Sequence, residues 1–315
     1  MYPGKYADQN PDRSAFVMAA TGERVSYQEF EARSNRVAHY LADKGLGFQD
    51  HYSIFMENNN RYLESCAAGE RSGLYFTCIN SFLTSDELAY IINNSESQIL
   101  ITSMSKLEAA QEALAQCTAI KEVLVVGAGD ADLPEGMSDF ESTLSKYPET
   151  PLERELLGAA MLYSSGTTGR PKGIVRPLPE QSPDEPLPVI GFLSGLWRYR
   201  EDMIYLSPAP LYHSAPQAAV GLTLRMGGTV VIMERFDPAD YLRFVEEYQV
   251  SHSQLVPTMF SRMLKMPEED RTKFDLSSLE VAVHAAAPCP VLVKRQMIDW
   301  WGPIIHEYYL SLIHI

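Results

Sequence analysis

The sequence is poor in cysteine, and its cysteines are widely spaced. The chain of 315 residues has 4 of them, and none forms the Cys-x-x-Cys pair of a zinc or thiol redox motif. A framework of disulfides is not expected in a chain of this length. Long apolar runs are missing too, because none approaches the ~20 residues that a membrane helix needs. The first residues also lack a signal-peptide pattern. Together these absences predict a cytoplasmic protein without a transmembrane segment.

Positive charge is scarce as well. The chain has 26 Lys and Arg against 41 Asp and Glu, which gives a formal net charge of −15. Nucleic-acid binding needs a basic surface, so we expect no nucleic-acid partner. Hydrophobic residues make up 45% and charged residues 21%, which is typical of a folded globular chain and argues against disorder. Nothing in the sequence indicates an oligomeric state.

Helical patterns alternate with short apolar runs along most of the chain. Thr84 and Glu87 form a capping box that begins one predicted helix, and Gly73 is expected to end another. Later helices are predicted over Pro238–Tyr248 and Val291–Trp301. Because strands that alternate with helices are typical of parallel sheets with crossover connections, the sequence predicts a layered α/β fold.

Two stretches interrupt this alternation. Glycines and acidic residues predict a surface loop over residues 127–157. Five prolines lie between Pro177 and Pro188, a density that no helix tolerates, so this stretch is predicted to be an ordered loop or a boundary between lobes. Between the two stretches, residues 159–162 are predicted to form one apolar strand.

A segment rich in glycine and hydroxyl side chains follows that strand. It reads Tyr163-Ser164-Ser165-Gly166-Thr167-Thr168-Gly169-Arg170-Pro171-Lys172-Gly173. Glycines let backbone N–H groups turn inward, hydroxyls can donate to phosphate oxygens, and Lys172 adds a positive charge. It is not a Walker A loop, because no Ser or Thr follows the lysine at the required place. A flexible loop without function would not need so many specified residues, so the sequence predicts an anion-binding loop.

This segment resembles the phosphate-binding signature of the adenylate-forming superfamily, which includes acyl-CoA synthetases, luciferases and adenylation domains. Further segments resemble the superfamily, and the resemblance covers residues 10–309; these segments are Ser26–Ala38, Pro208–His213, Val256–Thr258, His284–Pro288 and Glu307–Tyr309. The resemblance implies the layered αβαβα N-terminal domain of these enzymes, with two doubly wound subdomains, incomplete at its C-terminal end.

The resemblance also implies roles for individual residues. The β- and γ-phosphates of ATP would be held by Ser164, Ser165, Gly166, Thr167, Thr168 and Gly169. Lys172 would support that loop, and His213 would lie beside the reacting carboxylate, so these two and Thr168 are the predicted catalytic residues. The backbone of Ala286 and Ala287 would contact adenine, and Tyr309 would stack on it. From the residues alone, a buried structural role is more usual for a histidine such as His213, and core packing for a tyrosine pair.

The implied reaction needs ATP, Mg²⁺ and coenzyme A. A carboxylate would attack the α-phosphate and expel pyrophosphate, and the thiol of coenzyme A would then attack the acyl-adenylate. Positioning and charge neutralisation are enough for both steps, so no protein nucleophile is required. No residue is assigned as a metal ligand. The resemblance implies a small carboxylic acid as the other partner, either fatty, alicyclic or aromatic. The small, apolar residues after His213 are compatible with a roomy apolar pocket.

Two other functions stay open at this point. The first is an adenylation domain that loads a carrier protein, although no Asp follows His213 to hold an amino group. The second is a nucleotide-binding protein without catalysis. ATP binding without acyl transfer would favour the second.

The sequence departs from the superfamily pattern in two places. Ala285 stands where relatives usually carry Gly, which requires a negative φ at that position. After Tyr309 the expected Gly, small residue, Thr and Mg²⁺-binding Glu do not follow. We hypothesise that residues 310–315 are not family sequence and that the chain is a truncated or frame-shifted product. We expect it to be nearly inactive alone, because one lost charge-stabilising group costs ~10²–10³ in rate.

Overall fold

The computed structural model describes residues 1–164 and 170–309, which form fifteen strands and twelve α-helices. In chain order these are α1 (Gly4–Gln9), β1 (Ser14–Met18), β2 (Arg24–Ser26), α2 (Tyr27–Asp43), β3 (His51–Phe55), α3 (Tyr62–Ser72), β4 (Tyr75–Cys78), α4 (Ser85–Asn94), β5 (Ile99–Ser103), α5 (Leu107–Leu114), β6 (Glu122–Val126), β7 (Met137–Asp139), α6 (Phe140–Leu144), β8 (Ala159–Ala160), β9 (Leu162–Ser164), β10 (Lys172–Ile174), α7 (Pro188–Trp197), β11 (Ile204–Ser207), α8 (Ser214–Arg225), β12 (Thr229–Ile232), α9 (Pro238–Tyr248), β13 (His252–Leu255), α10 (Pro257–Leu264), α11 (Glu268–Arg271), β14 (Val281–His284), α12 (Val291–Trp301) and β15 (Ile305–Glu307). Among the helices so described, none is long and apolar enough to cross a membrane.

The chain divides into two units. The first consists of Met1–Asp12, Tyr27–Glu185 and Leu211–Ser214, and the second of Arg13–Ser26, Pro186–Pro210 and the residues from Ala215 onward. Each unit is built around its own sheet and its own apolar core.

The first unit contains a six-stranded sheet in the order β7-β6-β5-β3-β4-β8, with every neighbouring pair parallel. Its central strands β3, β5 and β6 are buried along almost their whole length, as expected for strands covered on both faces. All five residues of β5 are buried. Leu88 and Ile92 of α4 lie one turn apart and pack into the same cluster as Leu100 of β5.

The second unit contains a seven-stranded sheet in the order β15-β14-β13-β11-β12-β1-β2. Its neighbours are parallel except for β1 and β2, which pair antiparallel. Leu255 of β13 and Ala282 of β14 share a core cluster with Tyr241 of α9, Phe260 of α10 and Met297 of α12. The predicted layered α/β fold with parallel strands is therefore confirmed.

Local signals located several element ends correctly. Thr84 and Glu87 form the predicted capping box at the start of α4. Gly73 ends α3 in a left-handed conformation with φ +68°, which glycine adopts without steric cost. The predicted bounds of Pro238–Tyr248 and Val291–Trp301 are confirmed.

Other predictions of local structure were wrong or incomplete. The predicted surface loop over residues 127–157 contains β7 and α6, where Asp139 caps the helix by accepting a 2.7 Å hydrogen bond from the N–H of Ser142. The proline-rich stretch is irregular as predicted, but α7 begins at Pro188 and was missed, since proline is acceptable in the first turn. Helix α1 and the strands β1 and β2 were missed as well.

The single strand predicted over residues 159–162 is two strands. β8 pairs parallel with β4, whereas β9 pairs antiparallel with β10. Met161 lies between them and is buried. An unbroken apolar run carries no signal that the pairing partner changes within it.

Candidate nucleotide-binding site

An antiparallel hairpin carries the candidate phosphate-binding segment. The backbone of Ser164 pairs with that of Lys172, Gly173 with Tyr163, and Ile174 with Leu162. Residues Ser165, Gly166, Thr167, Thr168 and Gly169 lie outside the described residues, and only the backbone of Ser164 is described. The structure therefore gives the two strands that close the loop, and the roles of the five residues within it stay predictions.

Helix α4 holds both strands of this hairpin. The Tyr90 hydroxyl donates to the Pro171 carbonyl oxygen at 3.0 Å, and the Tyr163 hydroxyl donates to Asn94 Oδ1 at 2.8 Å. The guanidinium of Arg170 lies 5.0 Å from the centre of the Tyr90 ring, within the range of a cation–π contact. Burial, together with the nearby Tyr90, raises the pKa of Tyr163, so its hydroxyl stays protonated and remains a donor.

Close packing explains why glycine follows the lysine. A Cβ atom on Gly173 would lie 2.4 Å from Cε of Met161 and 3.1 Å from the ring of Tyr163. Met161 is itself buried against Tyr75 and Leu178. Any side chain at position 173 would require the Met161 methyl group to shift within this buried cluster.

Lys172 is exposed at the end of the hairpin nearest the loop. Within residues 1–164 and 170–309, no carboxylate lies within ion-pairing distance of its ammonium group. A lysine with no competing carboxylate is available to an anion, which is the role predicted for it.

His213 lies in the segment between β11 and α8. The N–H of Leu211 donates to Asn58 Oδ1 at 2.9 Å, which ties this segment to the loop before α3 in the first unit. The ring of Tyr212 lies 4.5 Å from that of His213. Although His213 is open to solvent on one side, the protein around it removes enough water to lower its pKa. A neutral imidazole near a reacting carboxylate can accept or donate a hydrogen bond, so the geometry fits a positioning role.

The two segments predicted to contact adenine emerge side by side. β14 and β15 are adjacent parallel strands, and His284 is in register with Glu307. Ala286 follows the end of β14, as Tyr309 follows the end of β15. In open α/β sheets ligands bind at the carboxyl ends of parallel strands, which is where both segments lie.

The alanines of this segment differ in conformation. Ala286 has φ +75° and is exposed, as is Ala287. Ala285 is buried, and it is not among the described non-glycine residues with positive φ. The negative φ that the sequence requires at position 285 is therefore confirmed, and the strained position is the next one.

The two tyrosines after β15 differ in their contacts and in their exposure to solvent. Gln254 Nε2 donates to the Tyr308 hydroxyl at 2.6 Å, and the Trp197 ring lies 5.4 Å from the Tyr308 ring. Tyr309 is 95% exposed, so its ring face is available for stacking. The role of Tyr309 stays a prediction, but core packing does not account for it.

A cluster of His284, Lys294 and Glu307 near the carboxyl ends of β14 and β15 was not predicted from the sequence. The Lys294 ammonium donates to the Glu307 carboxylate, whose other oxygen lies 4.0 Å from Nδ1 of His284. Burial lowers the pKa of His284, with Lys294 adding to the effect. The ion pair with Lys294 lowers the pKa of Glu307. No spacing in the sequence indicates this cluster, because its members lie on three separate elements.

The described part of the chain offers no metal centre. Within it, no group of three or more His, Cys, Asp or Glu side chains is arranged to hold a metal ion. The described residues therefore do not fit Mg²⁺ by themselves. Ser164, Lys172 and His213 belong to the first unit, while Ala286, Ala287 and Tyr309 belong to the second.

Comparison with known proteins identifies the family. Residues 5–310 match the AMP-binding enzymes, and the chain belongs to this family. It is 28% identical over 282 residues to 4-coumarate–CoA ligase 1 of Petroselinum crispum, covering 88% of this chain and 50% of that protein. It is 26% identical over 287 residues to a medium/long-chain-fatty-acid–CoA ligase of Mycobacterium tuberculosis, covering 88% of this chain and 48% of that protein.

The fold agrees with a solved structure of the same kind. The crystal structure of ATP-bound MatB from Rhodopseudomonas palustris matches with a TM-score of 0.77 at 25% identity, covering 99% of this chain and 60% of that one. The chain spans about half the length of the curated relatives that it matches. It corresponds to the N-terminal domain of adenylate-forming enzymes, as predicted.

Proposed function

We propose that this chain forms the nucleotide-binding part of an AMP-forming acid–CoA ligase. The observation that carries the proposal is the pairing of Ser164 with Lys172, because it brings together the two ends of a sequence segment rich in glycine and hydroxyl groups. It also places there an ammonium group that has no carboxylate partner among the described residues. The named relatives are acid–CoA ligases, and MatB was crystallised with ATP. A cytoplasmic location is part of the same proposal.

The residues of this chain would act by binding and positioning. Backbone N–H groups and hydroxyls of the loop would hold the phosphates of ATP, and Lys172 would neutralise part of their charge. His213 would hold the carboxylate of the acid near the α-phosphate. Tyr309, Ala286 and Ala287 would hold the adenine ring. Bringing together two anions is the main obstacle in adenylation, so binding and charge neutralisation account for most of what the protein must supply.

The proposed acid is fatty, alicyclic or aromatic. The relatives are named for 4-coumarate and for medium- or long-chain fatty acids, which share an apolar body next to the carboxylate. In α8, Ala219 and Val220 are buried, whereas Ala215 and Ala218 are at least partly exposed. Ala215 and Ala218 are therefore the candidates in α8 for contact with the acyl group.

The test is acid-dependent release of pyrophosphate by a longer protein that contains this chain and the second half found in the relatives. The panel should include fatty, alicyclic and aromatic acids, with and without coenzyme A, and the thioester should be identified by mass spectrometry. Pyrophosphate and acyl-CoA formation with an apolar acid would support the proposal. Acyl transfer to a carrier protein instead of coenzyme A, or ATP binding with no acid-dependent pyrophosphate release, would contradict it.

The activity of the 315-residue chain alone needs a separate measurement. We propose that it binds ATP but releases pyrophosphate at a rate near the background. Rapid acid-dependent pyrophosphate release by the purified chain would overturn this part without affecting the assignment of the longer protein.

A further inference from the structure

The first unit brings two of the four cysteines into contact. Cys66 lies on α3 and Cys78 ends β4, and their Sγ atoms are 3.7 Å apart. We propose that this pair is a redox modification site, at which an intramolecular disulfide forms and is reduced again. The inference is independent of the proposed ligase activity.

Only this pair among the four cysteines is placed to react in this way. The Cys117 thiol donates to the Ala113 carbonyl oxygen of the preceding helix α5 at 3.3 Å, and Cys289 belongs to the second unit. All four cysteines are reduced in the structure and lie within the described residues. Because 12 positions separate Cys66 from Cys78 in the chain, the sequence motif of a redox pair is absent although the geometry is present.

The two thiols differ in exposure to solvent, and this difference indicates which of them is oxidised first. Cys66 is fully buried, whereas Cys78 is only partly buried. An oxidant from solvent therefore reaches Cys78 first, and Cys66 acts as the resolving thiol. Burial, with the neighbouring Cys78 thiol, raises the pKa of Cys66 well above its ordinary value, so Cys66 stays protonated and reacts slowly with oxidants from solvent.

The surroundings of the pair favour a disulfide over further oxidation. The Tyr52 hydroxyl donates to the Ser65 carbonyl oxygen beside Cys66, and burial and both thiols raise the pKa of Tyr52. Tyr62 is fully buried near the same thiols, which also raise its pKa. These neutral hydroxyls and the buried helix exclude bulk water from Cys66, so a sulfenic acid on Cys78 meets a thiol at contact distance.

The chemistry balances with a peroxide as the oxidant. The Cys78 thiol is oxidised by the peroxide to a sulfenic acid, and the O–O bond breaks to release one molecule of water or alcohol. The Cys66 sulfur then attacks the Cys78 sulfur, the S–S bond forms, and the hydroxyl leaves with the proton of Cys66 as water. Two electrons pass from the two thiols to the peroxide. A cellular dithiol returns both electrons and restores the thiols.

Little movement is required. A disulfide bond is about 2.0 Å long, so the sulfur atoms must approach by about 1.7 Å from their separation of 3.7 Å. Cys78 is the last residue of β4, so the adjustment falls at the end of that strand.

The test counts thiols in the 315-residue chain after brief treatment with hydrogen peroxide. The chain is unfolded at acidic pH, alkylated with a maleimide and analysed by intact mass and peptide mapping. We expect the thiol count to fall from 4 to two, with a mass loss of about 2 Da, a linked peptide pair containing Cys66 and Cys78, and full recovery after dithiothreitol.

Matched variants separate this site from general oxidation. The double variant Cys117→Ser/Cys289→Ser keeps the pair and should still lose two thiols, whereas Cys78→Ser should lose none at the same peroxide dose. The proposal is overturned if Cys78 in the wild-type chain accumulates as sulfinic acid without cross-linking, or if the linked peptides contain Cys117 or Cys289. Because peptide mapping of the wild-type chain answers the question, the test survives poor folding of any variant.

Discussion

The backbones of Ser164 and Lys172 lie directly opposite each other at the end of the β9–β10 hairpin. This pairing holds the two ends of the segment 165–171, and the hydrogen bonds from Tyr90 to Pro171 and from Tyr163 to Asn94 fix the hairpin to α4. A loop whose ends are already held loses less conformational entropy when it closes on a ligand. We therefore expect these contacts of the hairpin, as well as the residues of the loop, to favour the proposed nucleotide binding.

Replacement of Lys172 by alanine should weaken ATP binding by about 10- to 100-fold. A hydrogen bond to a charged group contributes about 1.5–3 kcal/mol, and no carboxylate in the described chain competes for this ammonium group. Isothermal titration calorimetry on the 315-residue chain measures the effect. Thr168→Ala should weaken binding less, by about 3- to 10-fold, because a neutral hydroxyl contributes about 0.5–1.5 kcal/mol.

The matched control for Lys172 is Lys265, an exposed lysine at the end of α10 in the second unit. Lys265→Ala removes the same charge from the chain and should leave ATP affinity within a factor of two. Equal affinity of the wild-type chain and Lys172→Ala would refute the anion-binding role of the loop.

Gly173→Ala should destabilise the first unit by about 1–3 kcal/mol, the usual cost of overfilling a packed site. The added methyl group would lie 2.4 Å from Cε of Met161. In a Met161→Ala background the same substitution should cost much less. Urea unfolding of the single and double variants gives the coupling between the two positions.

Gly191→Ala is the control for this steric argument. A Cβ at Gly191 meets no atom within 4 Å, and the residue lies inside α7. Alanine is the better helix former, so this variant should be as stable as the wild-type chain or more stable by up to about 1 kcal/mol. Equal destabilisation by Gly173→Ala and Gly191→Ala would mean that the contact with Met161 is not responsible.

Short-range signals in the sequence predicted the fold well. The Thr84–Glu87 capping box and the glycine after α3 depend on a few neighbouring residues, and both appear as predicted. The order of helices and strands was enough to infer parallel sheets. Helix α7 was missed because its ten residues are apolar on every side and follow a proline-rich stretch, so no periodic pattern marks them.

The contacts that hold the site could not be predicted in the same way. Asn58 and Leu211 are 153 positions apart, yet a single hydrogen bond between them holds the segment before His213. The positive φ of Ala286 has no signature in its side chain, since most alanines are helical or extended. The superfamily signature indicates which residues face a ligand, but not which distant residues hold them there.

Stability should fall as the pH drops below about 6.5, in part because of His252. This ring is buried, with Nε2 2.9 Å from the Trp197 carbonyl oxygen and Nδ1 2.8 Å from Ser251 Oγ, and burial lowers its pKa from the ordinary 6.5. The unfolded chain therefore binds a proton at a higher pH than the folded chain does. The stabilisation is complete above pH 6.5 and is lost as the pH falls toward the folded pKa.

Urea unfolding between pH 5 and pH 7.5 measures this dependence. One histidine contributes a slope of up to about 1.4 kcal/mol per pH unit. His252→Gln keeps an amide donor for the Trp197 carbonyl oxygen but cannot take up the proton, so its slope should be smaller than that of the wild-type chain. An unchanged slope in this variant would assign the dependence to other groups.

Arg71→Met should destabilise the first unit by about 3–5 kcal/mol. The Arg71 side chain is fully buried, with Nη2 2.5 Å from Glu31 Oε1 and Nε 2.5 Å from Glu155 Oε1. Methionine fills a similar volume but leaves two largely buried carboxylates without their partner. Removal of one partner from a buried ion pair is strongly destabilising.

The control is Arg243→Ala, because Arg243 pairs with Asp240 and Glu247 on an exposed face of α9, where such pairs contribute about 0–1 kcal/mol to the free energy of unfolding. Urea unfolding should show a large loss for the first variant and a small one for the second. If both variants lost the same free energy of unfolding, burial of the Arg71 network would not be what stabilises the unit.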